Sequence, residues 1–371
     1  ADLYGALKQT GFVYGINTKI PRFITPEHRL SEDEKAKINL LASLYFTFRF
    51  ESNSTDYDVF KDELFRFYQQ LGLNQISFLE KLLIGKKASD QLEKLFDTRI
   101  YLEDNVISKT FNSIITNSLL YIDVLTFKRY LQDKSAIGKY AGNLEYLAMN
   151  IVYHTLNSKE KNKTDDKLAH LFEASLTYID TNGQQFDGSY REKLSHGFSI
   201  IEKQYFLDIA ALTIWEDKTV NYLESDFIYG LGQDLDFTEK EIARSLEEIA
   251  SFFNKNLKAI PYLKDQNLAS KFYDSMAKVV NKLILRNSKR LQKELSDSKE
   301  LVALISKSTI KDLSPEEKKK VQSQLLDIFK SIPSLAIFML PGGAVLLPIF
   351  IKLVPKLLPS SFDDNRVDKN K

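Results

Sequence analysis

The chain carries no proline between Glu27 and Ile260, and this gap constrains the fold more than any other feature. The nine prolines stand at 21, 26, 261, 315, 333, 341, 348, 355 and 359. At the average frequency of about 5%, the gap would hold roughly a dozen. Helix interiors exclude proline because it lacks the N–H and its ring clashes with the carbonyl one turn back. The body is therefore expected to be helical. Apolar residues agree: Ile38, Leu41, Tyr45 and Phe48 recur at helical spacing, as do Phe60, Leu64, Phe67 and Leu71, and Leu268, Phe272, Met276, Val279 and Leu283. Strand-like alternation is scarce, so the expected class is all-α, an array of roughly a dozen helices.

Start signals fall where those faces begin. Ser31 with Glu34 and Thr238 with Glu241 have capping-box spacing, and Ser314, Pro315 and Glu317 add a proline at the first helical position. Breaks are expected at 51–55, 85–89, 157–164 and 181–189 and near Pro261, where turn formers collect. The expected division is a turn-rich leader over 1–30, a helical body over 31–262, a helical connector over 263–330 and an apolar, proline-broken module over 331–371. The leader carries Gly5, Gly11, Gly15, Pro21 and Pro26, and Phe12, Tyr14, Phe23 and Ile24 are expected to order it. Leu231-Gly232, Leu235, Phe237-Thr238 and Glu241, with Leu71-Gly72-Leu73, resemble helix junctions of small tellurite-resistance (TerB-type) helical domains. An ordinary helix-turn-helix with a capped second helix reads the same residues equally simply.

Apolar content of 43% supplies a sizeable core, and 51 basic against 50 acidic residues leave no global field that would select nucleic acid. No DNA partner is expected. The absence of cysteine excludes disulfides, thiolate metal sites and cysteine nucleophiles. The chain starts at Ala1, and residues 1–20 lack the basic-then-apolar pattern of a signal peptide.

From Ser331 to Ile351 no residue is charged, a run of twenty-one that is long enough to cross a bilayer as helix. Yet Pro333, Pro341 and Pro348 interrupt it and Gly342-Gly343 lies at its centre. Backbone groups freed by such breaks need protein or water as partners. A kinked span, a re-entrant hairpin and a buried core element all fit. Pro341, Pro348 and Pro355 are seven apart, which on one helix implies repeated kinking toward one side. Lys352 and Lys356 follow with no acid before Asp363, as expected where a chain leaves an apolar layer for anionic headgroups.

The run Leu346-Leu347-Pro348, Lys352-Leu353, Pro355, Leu358-Pro359-Ser360 and Phe362-Asp363, with Pro333 and Pro341 upstream, resembles the motif with which the Letm (leucine-zipper/EF-hand transmembrane) family leaves its membrane segment. Among bacterial sequences it is similar to the group described as Letm-related, biofilm-associated proteins. The resemblance implies a membrane protein linked to potassium/proton or calcium/proton exchange, with a ribosome-binding domain after the membrane segment. Two departures count against full transfer. The family has a carboxylate just after the proline matching Pro341, where this chain has Gly342, Gly343 and Ala344, and an intramembrane acid is the expected cation carrier. Only nine residues follow Phe362, so the post-membrane domain is expected to be missing.

Other candidate sites are weaker. Counted from Asp180, a calcium loop would need Gly at its sixth position and Glu at its twelfth, but Gln185 and Arg191 stand there. Asp166, His170 and Glu173 share one helix face, and Glu192 with His196 repeats a one-turn pair, so two such helices could hold a metal pair. A solvated polar face is the alternative. Arg286, Lys289, Arg290 and Lys293 form a basic stripe, read as solvated helix surface or as a site for anionic lipid or RNA. With four histidines and none of the common catalytic motifs, the chain is not expected to be an enzyme or to bind a cofactor.

The leading expectation is a Letm-related scaffold tethered to the bacterial cytoplasmic membrane through residues 331–362, its helical body in the cytoplasm. One alternative is a cation/proton exchange component, oligomeric because one broken segment forms no pathway alone. The other is a soluble helical interaction protein that buries the apolar tail, with protein or ribosome as partner.

Overall fold

The computed structural model describes residues 3–71, 92, 95–96, 117–158, 189–194, 197–215, 222–256, 277–278, 280–308, 310–332, 335 and 347–357. Every regular element among them is a helix, so the all-α expectation holds. Their buried apolar side chains form one continuous cluster running from Tyr4 to Val354.

The first helix, α1 (Leu3–Thr10), lies inside the expected leader. Its chain reverses at Gly11, where φ is +86° and the Gly11 carbonyl accepts from Ile16 N–H at 3.0 Å. A Cβ there would stand 1.8 Å from the Ile16 carbonyl oxygen, so only glycine fits. The turn drives Phe12, Val13, Tyr14 and Ile16 into the core. Phe12 and Tyr14 thus order the leader as expected, but Phe23 does not; it is 65% exposed and rests edge-on against Phe46 at 5.2 Å.

Helix α2 (Glu32–Ser52) starts at the Ser31/Glu34 capping box and ends at Asn53 in the left-handed region. Its buried face differs from the expected Ile38, Leu41, Tyr45 stripe. Ala36, Asn39, Leu40, Ser43, Leu44, Thr47 and Phe48 point inward instead. The Ser43 and Thr47 hydroxyls donate to carbonyls one turn back, and the Asn39 amide N–H donates to Asn17 Oδ1 at 2.8 Å, while the Asn39 side-chain oxygen has no partner among the described residues. Helix α3 (Tyr57–Gln70) follows the expected register, with Phe60, Leu64 and Phe67 fully buried. Each such side chain contributes about 1.5–3 kcal/mol on burial. Phe60 and Phe67 meet Phe127 of α4 (Tyr121–Gln132) at 6.4 and 5.0 Å.

Helices α5 (Ile137–Ser158), α6 (Tyr190–Leu194), α7 (Ile200–Ile214), α8 (Tyr222–Asp234) and α9 (Glu239–Asn256) build the rest of the body. Helix α7 is the centre, packed against α5, α8 and α9. It opens with a Ser199/Glu202 capping box, and every residue from Tyr205 to Ile214 is buried. The α8–α9 turn closes tightly. Phe237 N–H donates to the Gly232 carbonyl at 2.9 Å, Asp236 has φ of 64°, and a Cβ on Gly232 would come within 2.4 Å of Ile242. Thr238 and Glu241 then cap α9 as expected.

The remaining helices are α10 (Ser288–Ser296), α11 (Lys299–Ser308), α12 (Pro315–Ser331) and α13 (Leu347–Leu353). The Ser314 capping box with Pro315 in the first turn of α12 is present as expected. Of the expected breaks, 51–55 is observed and 85–89 and Pro261 lie outside the described residues. Residues 157–164 and 181–189 are described only at Asn157–Ser158, where α5 ends, and at Ser189, a turn before α6.

Candidate functional site

The C-terminal helices form a small packed unit. Leu291 and Leu295 of α10, Leu301 and Ile305 of α11, and Val321, Leu325 and Phe329 of α12 are buried at helical spacing. Around this seam, Lys307 pairs with Glu317 and Lys320 with Glu300, while Ser298 donates to Gln324 at 3.0 Å. Glu300 and Glu317 are thus each matched to a lysine of the neighbouring helix.

The described end of the uncharged run is covered by protein. Leu347, Ile349, Phe350 and Ile351 of α13 and Val354 after it are buried, and Phe350 meets Phe329 edge-on at 5.1 Å. Lys352 is exposed and Leu353 half-buried. Pro348 is the second residue of α13 and Pro355 lies in the 3-10 turn Val354–Leu357 that follows it. The α-helix ends at Leu353, before Pro355, so no single α-helix carries both prolines, against the expectation of one helix kinked at each. Among the described residues, no helix is long and apolar enough to cross a membrane. Pro333, Pro341, Gly342, Gly343, Leu358, Pro359, Ser360 and Phe362 lie outside the described residues.

A row of cations runs along the start of this unit. Arg286, Lys289, Arg290 and Lys293 are exposed, and Lys278 and Lys282 continue the row toward the N-terminus. None of the six is in an ion pair among the described residues. The metal candidates are not brought together in the described structure. Asp166, His170, Glu173 and His196 lie outside it, Glu192 is exposed on α6, and no group of three metal-binding side chains occurs among the described residues. The Asp180 loop also lies outside it.

Sequence reasoning missed a buried polar node in the body. Asp208, on the central α7, is fully buried, and both its oxygens are saturated. Tyr4 donates to Oδ2 at 2.6 Å, Gln204 to Oδ1 at 3.2 Å, Ser245 also donates to Oδ1, and Lys8 Nζ reaches the two oxygens at 3.0 and 3.3 Å. Lys8 also binds Glu248 at 2.6 Å, and Arg244 binds the other oxygen of Glu248 at 2.8 Å. Burial pulls the Lys8 ammonium down, but Asp208 and Glu248 outweigh it and hold its pKa above the ordinary value. Burial, reinforced by Asp208, drives the Tyr4 hydroxyl well up, so it stays a donor. The ammonium lies over the Tyr4 ring at 5.6 Å and the Tyr14 ring at 5.9 Å. The one foreshadowing of this node was a carboxylate in an otherwise apolar stretch, Leu207 to Leu212.

A second buried pair sits at the α5–α6 contact. The His154 and Tyr190 rings stack at 4.8 Å, and neither His154 Nε2 nor the Tyr190 hydroxyl has a hydrogen-bond partner among the described residues. Burial first, and Arg191 second, lower the imidazole pKa below 6.5. Burial raises the phenol to about 12.

Comparison with known families places one match at the C-terminus: residues 313–371 match the family model described as LETM1-like, RBD. The match supports the Letm resemblance read from the proline motif. No curated protein and no solved structure matches the chain.

Removing one partner of the buried node leaves the other uncompensated. Asp208→Ala and Lys8→Met are each expected to lower unfolding stability by about 3–5 kcal/mol, and the double variant by clearly less than their sum. Denaturant titration of the four proteins checks this; strict additivity contradicts it. The imidazole defines a pH dependence. A histidine whose folded pKa lies below its unfolded value of 6.5 supports the fold above that pH and loses this support as pH falls through it. His154→Phe, which keeps the ring stack, is expected to flatten the loss of stability between about pH 7 and pH 5. An unchanged slope excludes His154 as its source.

Proposed function

We propose that this is a non-enzymatic, Letm-related interaction protein that docks on the ribosome through its C-terminal helical unit. The observation that carries the reading is the set of six exposed cations from Lys278 to Lys293, unpaired among the described residues and some twenty residues before the segment matching an RBD family. Phosphate backbones reward such a row, because each neutralised phosphate releases counterions. The near-neutral chain as a whole makes this local charge the source of any polyanion affinity. The burial of Phe350 against Phe329 of α12 supports a tail that closes the unit.

Membrane tethering is the second reading. It is favoured by the uncharged run from Ser331 to Ile351 and by exposed Lys352 at its end. Cation/proton exchange is less favoured, since Gly342, Gly343 and Ala344 replace the carboxylate of the family motif.

Co-sedimentation with purified ribosomes, run beside flotation with anionic vesicles, tests the reading. The full chain is expected to pellet with ribosomes in a salt-dependent manner. The variant carrying Lys282→Gln, Arg286→Gln, Lys289→Gln and Arg290→Gln is expected to bind more than about tenfold more weakly and with a shallower salt slope. Flotation without ribosome binding, or ribosome binding unaffected by the four changes, overturns the proposal.

A further inference from the structure

Between α1 and α9 lies a cleft of about 670 Å³, a size that encloses a small organic molecule. Its aromatic wall is Tyr14 and Phe252, whose rings are 5.0 Å apart. Lys8 stands at its buried end and Lys19 and Lys255 on its exposed rim. From this juxtaposition we infer that the cleft binds a small organic anion with a flat apolar part, its charge held by Lys19 and Lys255 and its apolar part laid against Phe252 beside the Tyr14 hydroxyl.

The charge inventory points to an anion. Glu248, which also lines the cleft, is already neutralised by Lys8 and Arg244, and the fourfold saturation of Asp208 anchors Lys8 from behind. Lys19 and Lys255 make no ion pair among the described residues, so the rim presents two unmatched cations against the one exposed carboxylate of Glu247. The Tyr14 hydroxyl makes no hydrogen bond among the described residues, although its ring is buried. Burial, and after it Asp208 and Glu248, push its pKa far up, so the phenol remains a donor available to an acceptor in the cleft. A neutral ligand would leave the two rim ammoniums in water and gain nothing from them, whereas an anion gains both, and the low-dielectric aromatic wall strengthens the attraction. Phosphate esters and carboxylates share this chemistry.

Calorimetric titration of the full chain tests the inference with phenyl phosphate, benzoate and neutral benzyl alcohol as probes. Saturable binding of at least one anion is expected below about 10 mM, with benzyl alcohol failing to bind. The relative affinities of phenyl phosphate and benzoate assign the headgroup. The double variant Lys19→Glu/Lys255→Glu, both on exposed positions, is expected to weaken binding at least about tenfold. Tyr14→Phe is expected to weaken it several-fold, and Lys289→Glu, which does not line the cleft, to leave it unchanged. Absence of saturable binding by either anion, equal binding of benzyl alcohol, or indifference to the double charge reversal overturns the inference. Circular dichroism of each variant separates loss of fold from loss of site.

Discussion

A carboxylate on a helix buried from all sides sets the terms for the rest of the body. Helix α7 packs against three others and exposes nothing from Tyr205 to Ile214 except what its neighbours cover. Asp208 in its middle would carry a charge into this environment at several kcal/mol without compensation. Compensation comes from two elements far away in sequence: Tyr4 and Lys8 on α1, some 200 residues earlier, and Ser245 on α9. The N-terminal segment is therefore a structural partner of the central helix. The glycine at 11 turns the chain so that Phe12 and Tyr14 seal the same contact, with Tyr14 against Phe252 and Phe253 of α9.

The C-terminal unit obeys a different logic. Its helices share a narrow leucine and isoleucine seam, joined across helices by the pairs Lys307–Glu317 and Lys320–Glu300. The cations between Lys278 and Lys293 lie outside those pairs and make no ion pair among the described residues. In the body, charge is neutralised inside to hold helices together; in the C-terminal unit it is left outside. That division favours an interaction surface at the C-terminus and a small-molecule cleft at the α1–α9 contact.

Local signals were readable in the sequence wherever local physics decides. The capping boxes at Ser31, Thr238 and Ser314 start helices because the serine or threonine and the glutamate three residues on satisfy each other's backbone groups. The box at Ser199 has the same pattern and was overlooked, since the flanking residues show no one-sided apolar stripe: α7 is apolar all round. The α2 stripe was misjudged because Asn39, Ser43 and Thr47 face the core and bond to nearby backbone or to Asn17, which hydrophobicity does not reveal. The Asp208 node was invisible because its partners come from the two ends of the body. Pro355 falls in the 3-10 turn that ends α13, but only packing against Phe329 shows that the segment before it is covered by protein.

The central claim is that α1 and α7 form one cooperative unit through the Lys8–Asp208 contact. Amide hydrogen exchange of the full chain measures it directly. The account predicts that the hydrogen-bonded amides of residues 7–12 open with the same free energy as those of residues 205–212, both exchanging only through global unfolding. Exchange in residues 7–12 faster by about a hundredfold or more, with α7 still protected, would contradict it.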